Sequence, residues 1–182
     1  LIGNDGANLL LGGTGDDHYY VDNAHDVITE NTGEGVDSVL SLITYTLGSN
    51  VDNLVLEGTA ALRGTGNADS NLLDGNDGKN VLTALGGDDI IDGGLGADQM
   101  YGGTGDDLYY VDNAGDKIIE GTGQGDDFVV STVSYTLATN VEELTLSGTG
   151  DINGTGNKTD NVINGNVHNN ILDGGLGADT LF

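Results

Sequence analysis

Apolar side chains recur along this chain every nine residues. That interval is neither the three-to-four spacing of a helix stripe nor the strict alternation of a long strand. Leu10, Tyr19, Leu73, Leu82, Ile91, Met100, Tyr109, Ile163, Leu172 and Leu181 share one phase. Cut in that phase, the chain gives ten nine-residue units: Gly3–Leu11, Gly12–Tyr20, five without a gap over 66–110, and three over 156–182. The apolar residue is eighth. The sixth place is always Asn or Asp: Asn8, Asp17, Asn71, Asn80, Asp89, Asp98, Asp107, Asn161, Asn170 and Asp179. The first six places are rich in Gly, Asn and Asp, which suit turns and positive φ. The last three suit a short strand with an inward centre. Two units make one coil, and coils stack as parallel strands about 4.8 Å apart. The pattern predicts an all-β parallel solenoid of about ten stacked coils, roughly 48 Å long at that spacing.

A longer repeat overlies the short one. "GGTGDDHYYVDNAHDVITE" from Gly12 returns as "GGTGDDLYYVDNAGDKIIE" from Gly102. "YTLGSNVDNLVLEG" from Tyr45 returns, at the same offset, as "YTLATNVEELTLSG" from Tyr135. The second copy lacks the counterpart of Ala84–Asp92, so "GGLGAD" at Gly93 returns one nonad early, at Gly174. We expect one solenoid over residues 1–182, with long repeats at about 12–101 and 102–182. Loss of one unit is what a stack of interchangeable pieces tolerates. Between the nonad blocks, Asp26 and Asp116 keep the sixth place. Two extra residues follow in each copy, Glu30-Asn31 and Glu120-Gly121, before Asp37 and Asp127 restore the phase. The segments 41–63 and 131–153 lose the Gly-Asp loops. They keep strand alternation around Leu54, Leu56, Leu144 and Leu146, which predicts further coils closed by metal-free turns.

Charge changes the picture. Lys and Arg number 4 against 30 Asp and Glu, a formal charge of -26. No basic patch exists to hold nucleic acid. With no Cys, a disulfide framework and thiolate metal sites are excluded. No apolar run is long enough for a membrane helix. A thin core, at about 25 cal/mol per Å², does not offset the ordering of 33 glycines and the self-repulsion. Stacking places one sixth-place carboxylate over the next. Oxygen-only donors between stacked loops suit a hard cation, and Ca²⁺ better than Mg²⁺. Bound between coils, Ca²⁺ would cancel the repulsion and link them.

"GGLGADQMY" and "GGTGDDLYY" resemble the nonapeptide of RTX, or haemolysin-type calcium-binding, repeat proteins. The likeness covers nearly the whole chain. It implies a right-handed parallel β-roll with several Ca²⁺ ions between stacked loops, type I secretion, and folding outside the cell. It also implies that the sixth-place Asp and carbonyls of the first five places bind the ion. Carried onto this chain, the ligands are Asp17, Asp37, Asp89, Asp98, Asp107, Asp116, Asp127 and Asp179. With them go the loop glycines Gly86, Gly87, Gly93, Gly94, Gly96, Gly102, Gly103 and Gly105. The expected pairs are Asp89 with Asp107, Asp98 with Asp116, Asp107 with Asp127, and Asp17 with Asp37. The Asn loops depart from the pattern by one charge each, and Asn71→Asp is expected to strengthen a site with Asp89.

Other chemistries find less support. His18, His25 and His168 stand at different places of separate units and read as surface residues. Arg63, Lys79, Lys117 and Lys158 lie on separate coils and make no lyase-like cluster. No nucleophile motif is present, so no enzymatic activity is expected of this segment. The functional expectation is a calcium-binding structural and folding module of a secreted protein. The alternative is a carbohydrate-binding or adhesive module, favoured by an exposed aromatic row. The strand edges at Leu1-Ile2 and Leu181-Phe182 lead us to expect further coils on both sides in a longer parent protein. They also lead us to expect end-to-end self-association of the folded rod.

Overall fold

The computed structural model describes residues 1–182. It contains strands and no helix. One parallel sheet runs the length of the molecule, ten strands in chain order. These are His18–Val21, Ser38–Ser41, Asn53–Leu56, Leu72–Asp74, Ile90–Asp92, Leu108–Val111, Phe128–Ser131, Glu143–Leu146, Val162–Asn164 and Thr180–Leu181. The opposite face is broken into three parallel sheets. Leu9–Leu11 pairs with Val27–Thr29. The middle sheet joins Tyr45–Thr46, Arg63–Thr65, Val81–Gly86, Gln99–Thr104 and Lys117–Ile118. The last joins Tyr135–Thr136, Gly154–Thr155 and Leu172–Asp173. The chain is a β-solenoid of about ten coils.

Register shows how the coils are built. Leu72 pairs with Ile90 and Ile90 with Leu108, so a regular coil is two nonads. The step from His18 to Ser38, and its twin from Leu108 to Phe128, is longer by the two inserted residues. The next step, from Ser38 to Asn53, is shorter than a regular coil by three, and the one after, from Asn53 to Leu72, is longer by one. The segments without Gly-Asp loops are therefore coils of the same stack, as expected. Both breaks in the second face fall after a long step begins, where Tyr45 and Tyr135 start the next sheet.

The eighth-place side chains form the core. Tyr19, Leu73, Leu82, Ile91, Met100, Tyr109 and Ile163 are fully buried, within a cluster of 24 residues. Val39, Leu54, Val129 and Leu144 continue it through the irregular coils. Leu181 stands at the same place but is exposed, because Thr180–Leu181 has a neighbouring strand, Val162–Asn164, on one side only.

The missing nonad has a structural consequence. Gly93–Tyr101 feeds the middle sheet of the broken face, whereas its near-copy Gly174–Phe182 feeds the ten-stranded face. A single nonad is half a coil, so its loss moves the following units to the other face. The same sequence serves either one.

Candidate metal centre

Two kinds of loop close the coils, and the residue at place two separates them. Where place two has positive φ, place six is Asp. Gly13, Gly94, Gly103 and Gly175 supply that geometry, and Leu85 adopts it at φ 86°. These loops end in Asp17, Asp98, Asp107, Asp179 and Asp89. Where place two is Asn, place six is Asn: Asn4 with Asn8, Asn67 with Asn71, Asn76 with Asn80, Asn157 with Asn161, Asn166 with Asn170.

The Asn loops satisfy themselves. In one of them the Asn67 carboxamide accepts the Asp69 N–H at 2.8 Å, and Asn71 Oδ1 accepts the Asn67 N–H at 2.8 Å. Asn71 Nδ2 donates to the Val51 and Asp52 carbonyls at 3.2 Å. Asn161 repeats this, donating to Val141 and Glu142 at 3.0 and 3.3 Å. The amide bonds the carbonyls below with its own protons. An Asp at position 71 would lose those donated bonds and set a carboxylate against the same carbonyls, an arrangement that needs a cation between them.

The Asp loops are not self-sufficient. Each of these carboxylates except Asp17 uses one oxygen to hold the coil before it. Asp107 Oδ1 accepts the Asp89 N–H at 2.8 Å, and Asp116 Oδ1 the Asp98 N–H at 3.0 Å. Asp127 Oδ1 accepts the Asp107 N–H at 3.0 Å, and Asp37 Oδ1 the Asp17 N–H at 2.9 Å. All four expected pairs are thus stacked neighbours. Asp179 stacks on Asn161 instead, at 2.9 Å, and has no carboxylate partner. The second oxygens of Asp89, Asp98 and Asp107 are buried with no hydrogen-bond partner. A buried, unpartnered carboxylate oxygen is costly. No Lys or Arg is buried to offset it. An oxygen-seeking cation is the partner these atoms fit, and the three histidines are all exposed.

Electrostatics record the same deficit. Burial pushes Asp89, Asp107 and Asp127 up to about 7, and Asp98 up to about 6. Burial also raises Asp37 and Asp116. Backbone N–H donors pull each the other way and do not win.

The carried-over glycines fall into two groups. Gly87, Gly94, Gly96, Gly103 and Gly105 have positive φ, and Gly86, Gly93 and Gly102 do not. Gly102 is required by space: a Cβ there would fall on Asp107 Oδ2 and the Tyr109 hydroxyl.

Four acidic residues escaped the sequence reading. Asp52 Oδ2 accepts the Asp37 N–H at 2.7 Å, and Glu142 Oε2 accepts the Asp127 N–H at 2.9 Å. They take the sixth-place role in the short coil. Glu30 and Glu120 belong to the inserted pairs, yet each packs against the stacked carboxylates. In every case the signal was an acid repeated at the same place of the other long copy.

The model of the RTX calcium-binding nonapeptide repeat (4 copies) matches residues 1–28, 65–100, 74–109, 89–118 and 153–181. The chain belongs to this family. Its repeats are calcium-binding repeats, and the matched ranges reach into every regular nonad. The chain is also 34% identical over 83 residues to the endo-1,3-1,4-beta-glycanase ExsH of Rhizobium meliloti (strain 1021). That match covers 45% of this chain and 18% of the glycanase, so the RTX segment corresponds to a minor part of that protein's length. No solved structure matches the chain. No helix is long and apolar enough to cross a membrane.

Proposed function

We propose that this RTX segment is a Ca²⁺-dependent folding module of a larger exported protein, and is not itself catalytic. The observation that carries the reading is the row of buried, unpartnered Asp oxygens at Asp89, Asp98 and Asp107. In this reading Asp89/Asp107, Asp98/Asp116, Asp107/Asp127 and Asp17/Asp37 each hold an ion between coils, aided by carbonyls of loops such as 84–88 and 102–106. The ion supplies positive charge in a chain of formal charge -26. A chain that folds only with Ca²⁺ stays unfolded where the ion is scarce, which suits passage through a type I secretion channel. It then folds outside the cell. Circular dichroism in chelator should show a largely disordered chain, and millimolar Ca²⁺ should convert it to β-structure. Equal β-content with and without chelator would overturn the reading.

The similarity to a glycanase favours a second reading, a polysaccharide-binding or adhesive role. Tyr20 and Tyr110 are exposed on the ten-stranded face but stand five strands apart, so they form no aromatic row. Retardation in gels containing a 1,3-1,4-β-glucan would support this second role.

A further inference from the structure

The two long coils exceed two nonads by their inserted residues. Their extra residues put Glu30 and Glu120 one regular coil after Gly12 and Gly102, at a place that the regular nonads give to Gly or, once, Ala84. The glutamate rises into the space that Gly102 leaves open, where a Cβ would lie 2.6 Å from Glu120 Oε1.

One oxygen of each glutamate is held by the protein. Tyr109 OH donates to Glu120 Oε1, as Tyr19 OH does to Glu30 Oε1. The Gly102 N–H adds a bond to Glu120 Oε1 at 3.2 Å. The other oxygen of each glutamate is buried and has no partner. Glu30 is only 6% exposed and Asp107 1%, and Asp107 Oδ2 is equally unpartnered. One oxygen each from Asp107, Glu120 and Asp127 lie within 4.8 Å of one another, and so do those of Asp17, Glu30 and Asp37. Ligands on opposite sides of one Ca²⁺ stand about 4.6–5.2 Å apart, twice the usual bond length. A single ion can therefore touch all three carboxylates.

We propose that Glu30 and Glu120 complete a second class of cation site, in which three carboxylates rather than two hold one hard cation. This rests on the calcium reading above and deepens it. Ligand charge sets affinity at oxygen sites. The added negative charge makes these the tightest sites of the stack and the ones most favourable to a trivalent ion. The two-residue insertion is what admits the third ligand.

Terbium(III) tests this, because it is hard, close to Ca²⁺ in size, and lit by a neighbouring tyrosine. The chain has no Trp, and Tyr19 and Tyr109 are the tyrosines bonded to the glutamates. Wild-type chain with terbium should show strong tyrosine-sensitised emission. E30Q/E120Q should need severalfold more terbium to reach half of its tyrosine-sensitised emission, because these sites then fall back to two carboxylates, with β-structure kept at saturating Ca²⁺. If that variant does not fold, Y19F/Y109F decides: it keeps the rings in the core and should still lose severalfold of the emission. A wild-type terbium midpoint in E30Q/E120Q, or undiminished emission in Y19F/Y109F, would overturn the third ligand alone. A wild-type chain that binds neither Ca²⁺ nor terbium would overturn the calcium reading with it.

Discussion

Leu85 takes the place of a glycine. It holds place two of the loop that ends in Asp89, at φ 86°, where L side chains are strained. The Asp-type loop needs that geometry, and the remaining regular Asp loops meet it with Gly. Leu85 is half exposed, so its side chain gains little from burial. Leu85→Gly should therefore stabilise the folded chain by about 1 kcal/mol, after the entropy a glycine costs. The measurement is the Ca²⁺ midpoint of folding by circular dichroism, which should fall. An unchanged or higher midpoint would mean that the strained loop is relaxed by contacts of the leucine. The pairing of place two with place six could be read from the sequence, since Asn goes with Asn throughout. What it meant could not: only the hydrogen bonds show that Asn71 meets the carbonyls of Val51 and Asp52 with its own amide protons.

At the scale of the coil, length matters more than composition. Regular, long and short steps all fit one sheet, because each returns the chain to the same face. Removing Gly75–Asp92 takes out one complete coil and leaves every later strand on its own face. That deletion should fold with Ca²⁺ at a near-native midpoint. Removing Gly75–Thr83 alone takes out half a coil and sends the long coil with Glu120 to the opposite face, so its midpoint should rise severalfold. Similar midpoints for both deletions would show that the faces are interchangeable even for the irregular coils. The stack was legible because its period is strict and its inward residues, from Tyr19 to Ile163, keep one phase. Glu30 and Glu120 were not legible as ligands. An insertion in a ruler looks like slack, and only burial shows that Glu30 points inward with an empty oxygen.

For the molecule as a whole, the balance is between buried acid and the ion that answers it. Without Ca²⁺, burial raises Asp89, Asp107 and Asp127 to about 7 and Asp98 to about 6. In the unfolded chain the same side chains titrate at about 3.9. The folded chain therefore binds protons more tightly than the unfolded one. The stability contributed by these groups is full below about pH 4 and drains away as pH rises through 6 to 7. Acid should stand in for part of the metal. In chelator, β-structure should grow as pH is lowered from 8 to 5, and a Ca²⁺-loaded sample should stay flat over the same range. Acid also reduces the formal charge of -26, which would favour compaction without any buried carboxylate. High salt separates the two effects, because it screens exposed charge and leaves buried carboxylates unanswered. At neutral pH in chelator, salt should restore much less β-structure than acid does. If salt alone restores it fully, what opposes folding is overall repulsion, and the buried oxygens of Asp89, Asp98 and Asp107 are not what the ion is needed for.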